Sequence, residues 1–298
     1  MTAACDPHDI EATNAQASLL MKEGIRLMRS ESDAAAALLC FDRALELRRR
    51  LPTQVPVHAY GLAACWLNRA EALTGLGAAR HVLALHAYGE ALALLRALPI
   101  DRDPRFPRRL AIALQNRALL LIAQNPLAAA AAMGGLADAI AVLDGAEAMD
   151  AQERDFLRAV ALMNLANIQA SCDTAVSDAA AQEAASRALA FVKIQEHEDA
   201  AAAEVGLKAR HVLCQIAARR LSVQPESKTV LPDVHDATDL ADEGLELVRE
   251  WERRGVDRFR ELATDLYRFG ARVYACYQPH FLDEFLREQP HLDLSGRE

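Results

Sequence analysis

Three short segments of similar composition recur along this chain at a constant spacing of 48 residues. They are Trp66–Ala70, Leu114–Ala118 and Leu162–Ala166, and each has an Asn at its third position and an Ala at its fifth. A self-similar period of about 20 to 50 residues is the signature of one supersecondary unit repeated along a chain. This spacing restricts the chain to a repeat architecture more strongly than any single motif does.

A second set of small residues lies between these segments. Each member of this second set is followed directly by Leu or Ile; the members are Ala44, Ala91, Ala139 and Ala188. The small residue at the fifth position of the next recurring segment, or at the equivalent position, lies 26 or 27 residues further along the chain. Closely packed helices need a small residue where they cross, because a longer side chain would push the axes apart. We therefore predict alternating first and second helices. The same spacing of 26 residues separates Gly244 from Gly270. The predicted crossings on the first helices are Gly24, Ala70, Ala118, Ala166, Cys214 and Gly270.

Composition favours helices over strands throughout. The 298 residues include 61 Ala, whereas aromatic residues make up only 5%. Ala loses no side-chain entropy in a helix, and the β-branched and aromatic runs typical of strands are nearly absent. The sequence therefore predicts an all-α protein with a single domain over residues 1–298. Apolar periodicity and proline positions divide it into helical hairpins over 9–51, 57–98, 107–145, 151–195, 198–254 and 257–289, with an irregular loop at 222–236 and a capping box at 150–153.

Over residues 9–277 the chain resembles the tetratricopeptide repeat (TPR) family. Trp66–Leu73 and Leu162–Ile168 are similar to its first-helix pattern W-x-N-L-G-N-A-Y, and Ala37–Leu45 and Ala84–Leu92 to its second-helix pattern A-x-x-x-Y/F-x-x-A-L. The period departs from the family value of about 34 residues. The resemblance implies a right-handed α-solenoid of five to six helix-turn-helix repeats with longer helices. Phe281–Leu286 has the amphipathic pattern of a C-terminal capping helix.

The fifth unit departs from the pattern at Arg210. The other units have Leu or Trp four residues before the crossing, whereas this one has Arg. Either Arg210 occupies the core position, or the helix is shifted by a turn and Ala209 makes the contact.

Charge and targeting features exclude several classes of function. The net charge of −9 and the pI near 5.5 do not provide the positive field that binding to nucleic acid requires. Six scattered cysteines without a CxxC pair indicate reduced, mostly buried thiols. The amino terminus has no basic or apolar leader, and Leu127–Leu143 falls short of a membrane span. We expect a cytoplasmic protein without a membrane segment.

Signatures of catalysis and metal binding are absent from the sequence. No phosphate-binding loop, nucleophile elbow or zinc-protease motif occurs. His81 and His86 are five residues apart, the wrong spacing for a shared helix face. Glu196–Asp199 is dense in possible ligands but is expected to be a solvated turn, and Arg48–Arg50 a solvated helix end. We therefore expect no enzymatic activity, no metal and no cofactor.

The resemblance implies that the first helices line a concave groove that binds a partner peptide or helix. Asn68, Asn116 and Asn164 lie two residues before a crossing, and each amide can both donate to and accept from a peptide backbone. Alternatively, these Asn residues tie adjacent hairpins together. Further candidates for the groove are Gln115, Asn167, Lys208, His211 and Arg268.

Two other functions stay open. The chain could be a self-assembling structural protein that forms a homodimer through Tyr277, Phe281 and Phe285 at its C-terminal end. A small-ligand or peptide sensor with a pocket inside the superhelix is the third candidate, although no group of residues in the sequence points to it. A non-enzymatic scaffold for a protein partner is the leading hypothesis.

Overall fold

The computed structural model describes residues 7–172, 174–223, 231–277 and 279–288, and these residues form helices joined by short turns, with no strand among them. The prediction of an all-α protein is confirmed. The chain groups into two compact units, 1–154 and 155–298, which are described in turn. The expectation of a single domain stays a prediction.

The first unit contains three consecutive helical hairpins. α1 packs against α2, α3 against α4 and α5 against α6, and α2–α3 and α4–α5 contacts join the hairpins. A π-helical turn, Leu27–Glu31, follows α1, and short 3-10 turns precede α4 and α6. The helices are α1 (Pro7–Arg26), α2 (Ala34–Arg48), α3 (Pro56–Gly75), α4 (His81–Arg96), α5 (Arg105–Gln124) and α6 (Ala129–Asp144).

Local sequence explains where these helices begin. The Asp33 carboxylate accepts a hydrogen bond from the Ala36 amide and so caps α2, and Pro56 lies at the first position of α3, where its missing N–H is not needed. After α3 the chain turns at Gly77, whose φ of 95° is costly for a residue with a Cβ.

The second unit contains most of α7 and the five following helices. α8 packs against α9, α9 against α10 and α11, α10 against α11, and α11 against the terminal α12. The helices are α7 (Ala151–Ala170), α8 (Ala175–Val192), α9 (Ala200–Val223), α10 (Leu231–Arg253), α11 (Arg260–Tyr277) and α12 (Pro279–Glu288).

Capping decides two of these helix starts. The Asp150 carboxylate accepts from the Glu153 amide at 3.0 Å, as the capping-box pattern predicts for α7. At α8, Thr174 and Ser177 form a reciprocal capping box that the usual pattern, with Glu or Gln at the third helical position, does not predict.

The predicted loop at 222–236 is wrong at both of its ends. Residues 222–223 belong to α9 and 231–236 to α10, while 224–230 lie outside the described residues. Pro232 does not break the helix, because as the second residue of α10 it needs no hydrogen-bond partner for its nitrogen.

The predicted crossing positions are buried in both units. Ala44, Ala70, Ala91, Ala118, Ala139, Ala166, Ala188 and Cys214 are each at most 2% exposed. At two glycines the approach is closer still. A Cβ at Gly24 would lie 2.4 Å from the Phe41 ring, and one at Gly270 would lie 2.6 Å from the Phe285 ring. The burial that the register of small residues predicts is confirmed, and the repeat arrangement itself stays a prediction.

One helical stretch of the described chain, Pro126–Asp144, is long and apolar enough to cross a membrane by length and composition alone. Gly134, Gly135 and Asp138 lie inside this stretch, and they are the reason why the sequence predicts that Leu127–Leu143 falls short of a membrane span. In the structure its helix, α6, packs against α5 as the second helix of a hairpin. The expectation of a cytoplasmic protein without a membrane segment stays a prediction.

Candidate interaction surfaces

Asn116 in the first unit links two helices. Its Nδ2 donates to Glu71 Oε1 of α3 at 3.4 Å, and it lies beside the Tyr88 hydroxyl. Burial raises the pKa of Tyr88, and Glu71 raises it further, while Asn116 and Thr74 act in the opposite direction. For Asn116 the contacts therefore match the alternative in which the amide ties hairpins together. Asn68 on α3 is half-buried.

Glu71 is the carboxylate that lies next to Asn116 and Tyr88. Its side chain reaches solvent, but the surrounding helices desolvate the carboxylate and raise its pKa, an effect that Arg109 and Arg29 oppose. A carboxylate, an amide and a phenol are thus collected on the facing sides of α3, α4 and α5.

Gln115 does not lie on an open surface. It is 4% exposed, so its side chain is enclosed by the protein and does not line a groove accessible to a partner. The prediction for Gln115 fails because it lies next to Leu114, which is also 4% exposed, on the packed side of α5.

In the second unit the structure brings two predicted site residues together through a third. Asp265 of α11 lies 3.9 Å from His211 Nδ1 of α9 and 3.7 Å from Arg268 Nη1. Burial lowers the pKa of His211, and Asp265 opposes that shift. Lys208, one turn before His211, is exposed and pairs with Glu204 at 2.7 Å. Asp265 has no periodic counterpart in the other units, so the sequence pattern does not predict it.

Asn164 and Asn167 both lie on α7. Asn164 is half-buried and Asn167 is exposed. Of the eight predicted residues, the described structure therefore brings together His211 and Arg268, encloses Gln115, and leaves the others spread over α3, α5, α7 and α9.

A buried ion pair occupies the fifth unit. Arg210 and Glu196 are 2% and 1% exposed, and Arg210 Nη1 and Nη2 donate to the two Glu196 oxygens at 2.7 and 2.8 Å. Arg210 itself therefore occupies the core position, and Ala209 beside it is also buried. The prediction of a solvated turn is wrong for Glu196 and right for His197, Glu198 and Asp199, which are exposed.

Two glycines make room for this pair. A Cβ at Gly206 would lie 2.3 Å from Glu196 Oε2, and one at Gly244 would lie 3.2 Å from Arg210 Cδ. Glu243 adds a third contact, 3.2 Å from Arg210 Nη2. Burial works against the charge on Arg210, but the two carboxylates outweigh it and raise its pKa.

Arg48 is a second buried cation, contrary to the prediction of a solvated helix end. It is 9% exposed and donates to Asn14 Oδ1 at 2.9 Å and to Ser18 Oγ at 3.0 Å. Arg49 and Arg50 are exposed as predicted. Burial raises the pKa of the neighbouring Cys65 thiol to about 11, although the positive charge of Arg48 acts to lower it. Cys65 is therefore protonated at neutral pH.

The four cysteines whose side chains are described agree only in part with the predicted burial. Cys65 and Cys214 are buried, Cys40 is half-buried and Cys172 is exposed, and all four are free thiols. The side chains of Cys5 and Cys276 lie outside the described part of the chain. No group of three or more His, Cys, Asp or Glu residues in the described chain could hold a metal ion.

Phe285 at the C-terminal end packs onto its own chain. Its ring centroid lies 5.2 Å from that of Tyr267 and 4.8 Å from that of Tyr274, and it is 7% exposed. Its ring is therefore largely covered within the chain itself, and a homodimer through the C-terminal end stays a prediction. The side chains of Tyr277 and Phe281 lie outside the described residues.

Comparison with known proteins gave no match, either to a protein-family model or to a curated sequence.

Proposed function

We propose that the protein is a non-enzymatic, tetratricopeptide-like scaffold of the cytoplasm whose repeats form a right-handed α-solenoid and whose first helices bind a peptide or helix of a partner protein. The observation that carries the proposal is the 48-residue register. In both units, residues at equivalent positions of this register are buried, with exposures of 2% or less for the Ala and Cys members. Stacked repeats of one unit generate extended binding surfaces.

The chemistry of the first helices supports a peptide ligand. Asn68, Asn164 and Asn167 retain partial or full access to solvent, and their amides can bond a peptide backbone whatever its side chains. Lys208 and His211 add charge in the second unit. Asn116 already contacts Glu71, so we assign it a structural role beside this surface.

Affinity capture from a lysate of the native cells tests this function. The bait is the purified chain, run beside the double variant Asn68→Ala/Asn164→Ala and a matched control, Glu90→Ala/Arg187→Ala, on the second helices α4 and α8. Glu90 and Arg187 side chains are each 50% exposed, so the control removes surface polar groups without touching the first helices. Overlapping peptides of any captured protein then locate the bound segment.

We expect the parent and the control to capture the same protein and the Asn variant to lose it, with all three unfolding at nearly the same temperature. Equal capture by all three baits would contradict binding on the first helices. Recovery of the chain alone would favour self-assembly instead.

A further inference from the structure

A cavity of about 460 Å³ lies over the buried Arg210–Glu196 pair. Its walls come from the end of α8, the turn into α9 and one side of α10, and Leu247 is its one apolar lining residue. Because Arg210 and Glu196 line the cavity and are almost fully buried, they form its floor. Cavities of about 300 to 1,000 Å³ hold small molecules, and this lining suits a charged one.

Most carboxylates around this cavity are already neutralised. Glu196 is held by both terminal nitrogens of Arg210. Glu243 accepts from Lys193 at 3.3 Å as well as from Arg210. Burial works against ionisation of Glu243, but these hydrogen bonds outweigh it and lower its pKa.

Glu250 is engaged in the same way. It meets His197 Nδ1 at 2.7 Å and also pairs with Arg254. The His197 hydrogen bond is the main cause of the lowered pKa of Glu250. Three of the four carboxylates that line the cavity are therefore compensated, and Glu246 is the fourth.

Two guanidinium groups in the cavity remain available. Arg249 Nε donates to the Leu245 carbonyl at 3.4 Å and Arg253 Nε to the Arg249 carbonyl at 3.3 Å. Among the described residues neither group lies within ion-pair distance of a carboxylate, although Arg253 is near enough to Glu250 to help lower the pKa of that carboxyl. The four terminal nitrogens of the two side chains make no hydrogen bond with the described residues and can donate to a ligand. Arg249 and Arg253 are one turn apart and face the same cavity.

The cavity lining is electrically balanced although the chain is acidic. Four Arg and Lys side chains line the cavity against four Glu, whereas the whole chain carries −9.

We propose that this cavity binds a compact anion with at least two carboxylate or phosphate groups, held by Arg249 and Arg253 and flanked by Lys193 and His197. Guanidinium groups bind both kinds of oxyanion through paired hydrogen bonds. The Arg210–Glu196 pair holds the floor rigid beneath them. This site is separate from the proposed peptide surface, and neither depends on the other.

The two tryptophans of the chain provide a test with an internal control. Trp251 Nε1 donates to the Glu196 carbonyl at 2.9 Å, so its indole N–H reports on the cavity floor, while Trp66 lies in the first unit. The ¹⁵N-labelled chain is titrated with citrate and, separately, with pyrophosphate at an ionic strength held constant with chloride. We expect the Trp251 indole resonance to move to saturation and the Trp66 resonance to stay in place. The anion that binds with the higher affinity shows whether the cavity prefers carboxylate or phosphate groups.

Two charge variants are expected to change the affinity for the anion in opposite directions. Arg253→Gln removes one ligand group and weakens binding about tenfold, whereas Glu246→Gln removes the uncompensated carboxylate and tightens binding severalfold. Both side chains are exposed, so both variants are expected to fold. Arg187→Gln, on α8 and outside the lining, is the control and leaves the affinity unchanged.

Two results would overturn the proposal. One is the absence of a saturable shift of the Trp251 indole with either anion up to about 10 mM. The other is a change of affinity in the same direction for Arg253→Gln and Glu246→Gln.

Discussion

Arg210 occupies a position that the repeat pattern reserves for a large apolar side chain. A buried ion pair contributes little net stability, but removing one partner leaves an uncompensated charge in the core. Nothing local in the sequence pairs Arg210 with Glu196, because the two are 14 residues apart and the acidic residue lies in a turn. Gly206 and Gly244 were the available signal, since they supply the space that the pair needs.

Removing one side of this pair is expected to destabilise the protein strongly. Glu196→Leu leaves Arg210 buried with only the longer contact to Glu243, and we expect a loss of about 3 kcal/mol in the free energy of unfolding. The double variant Glu196→Leu/Arg210→Met removes both charges and is expected to recover part of that loss. Urea unfolding of both single variants, the double variant and the parent measures the coupling.

The exposed neighbour Glu198 provides the control for this cycle. Glu198→Leu is expected to change the free energy of unfolding by less than about 0.5 kcal/mol. Additive losses from Glu196→Leu and Arg210→Met would contradict the direct pairing.

Ala118 tests the register of small residues. It is 1% exposed, and a Cβ at Gly135 of α6 would lie 3.7 Å from its own Cβ. Ala118→Leu therefore forces α5 and α6 apart, and we expect a loss of about 1 to 3 kcal/mol. Thermal unfolding monitored by circular dichroism measures it. The control Ala130→Leu, exposed on α6, should unfold like the parent, and the crossing assignment is wrong if Ala118→Leu does so too.

Helices of this chain could be predicted wherever small residues, caps and prolines agree. The alternation of first and second helices followed from positions such as Ala70 and Ala91, and the start of α7 from Asp150. The start of α10 could not be predicted, because Pro232 is equally compatible with a loop and with a first helical turn. Thr174 was missed because the reciprocal partner of its capping box is Ser177, whereas the usual pattern has Glu or Gln there.

The candidate site was less predictable than the helices. Periodicity places Asn68, Asn116 and Asn164 at equivalent positions, but it does not say which side chains meet a partner across the hairpin. Asn116 meets Glu71, and Gln115 is enclosed. The cavity beside Arg210 depends on contacts between α8, α9 and α10, which no single-helix pattern encodes.

The terminal helix α12 is expected to depend on one aromatic contact. At ten residues it is too short to be stable alone, and Phe285 packs on Tyr267, Tyr274 and the open face of Gly270. Phe285→Ala should cost about 3 to 5 kcal/mol if α12 unfolds with the rest, and should abolish the protection of α12 amides. Hydrogen exchange read by mass spectrometry measures this.

Arg287→Ala on the same helix is the control, because that side chain is exposed. Unchanged α12 protection in Phe285→Ala would show that Phe285 does not hold the helix. A change in mass in solution on the same substitution would instead indicate that it contributes to association.

Along the whole molecule, small residues recur at a regular spacing in an acidic chain. The same register of small residues holds in both compact units, from Gly24 on α1 to Gly270 on α11, so the surfaces of the first helices can present equivalent positions several times. The net charge of −9 argues against nucleic acid as the partner. A scaffold for a partner protein is consistent with both features.

Site-specific photo-crosslinking tests this function most directly. Asn68 on α3 and Asn167 on α7 are replaced one at a time by a benzoyl-phenylalanine, beside Glu90 on α4 and Arg187 on α8 as second-helix positions, and the native cells are irradiated. We expect one partner protein to be cross-linked from Asn68 and Asn167 and not from Glu90 or Arg187. Cross-links of equal yield from the second helices, or cross-links only to further copies of the chain, would contradict a peptide-binding surface on the first helices.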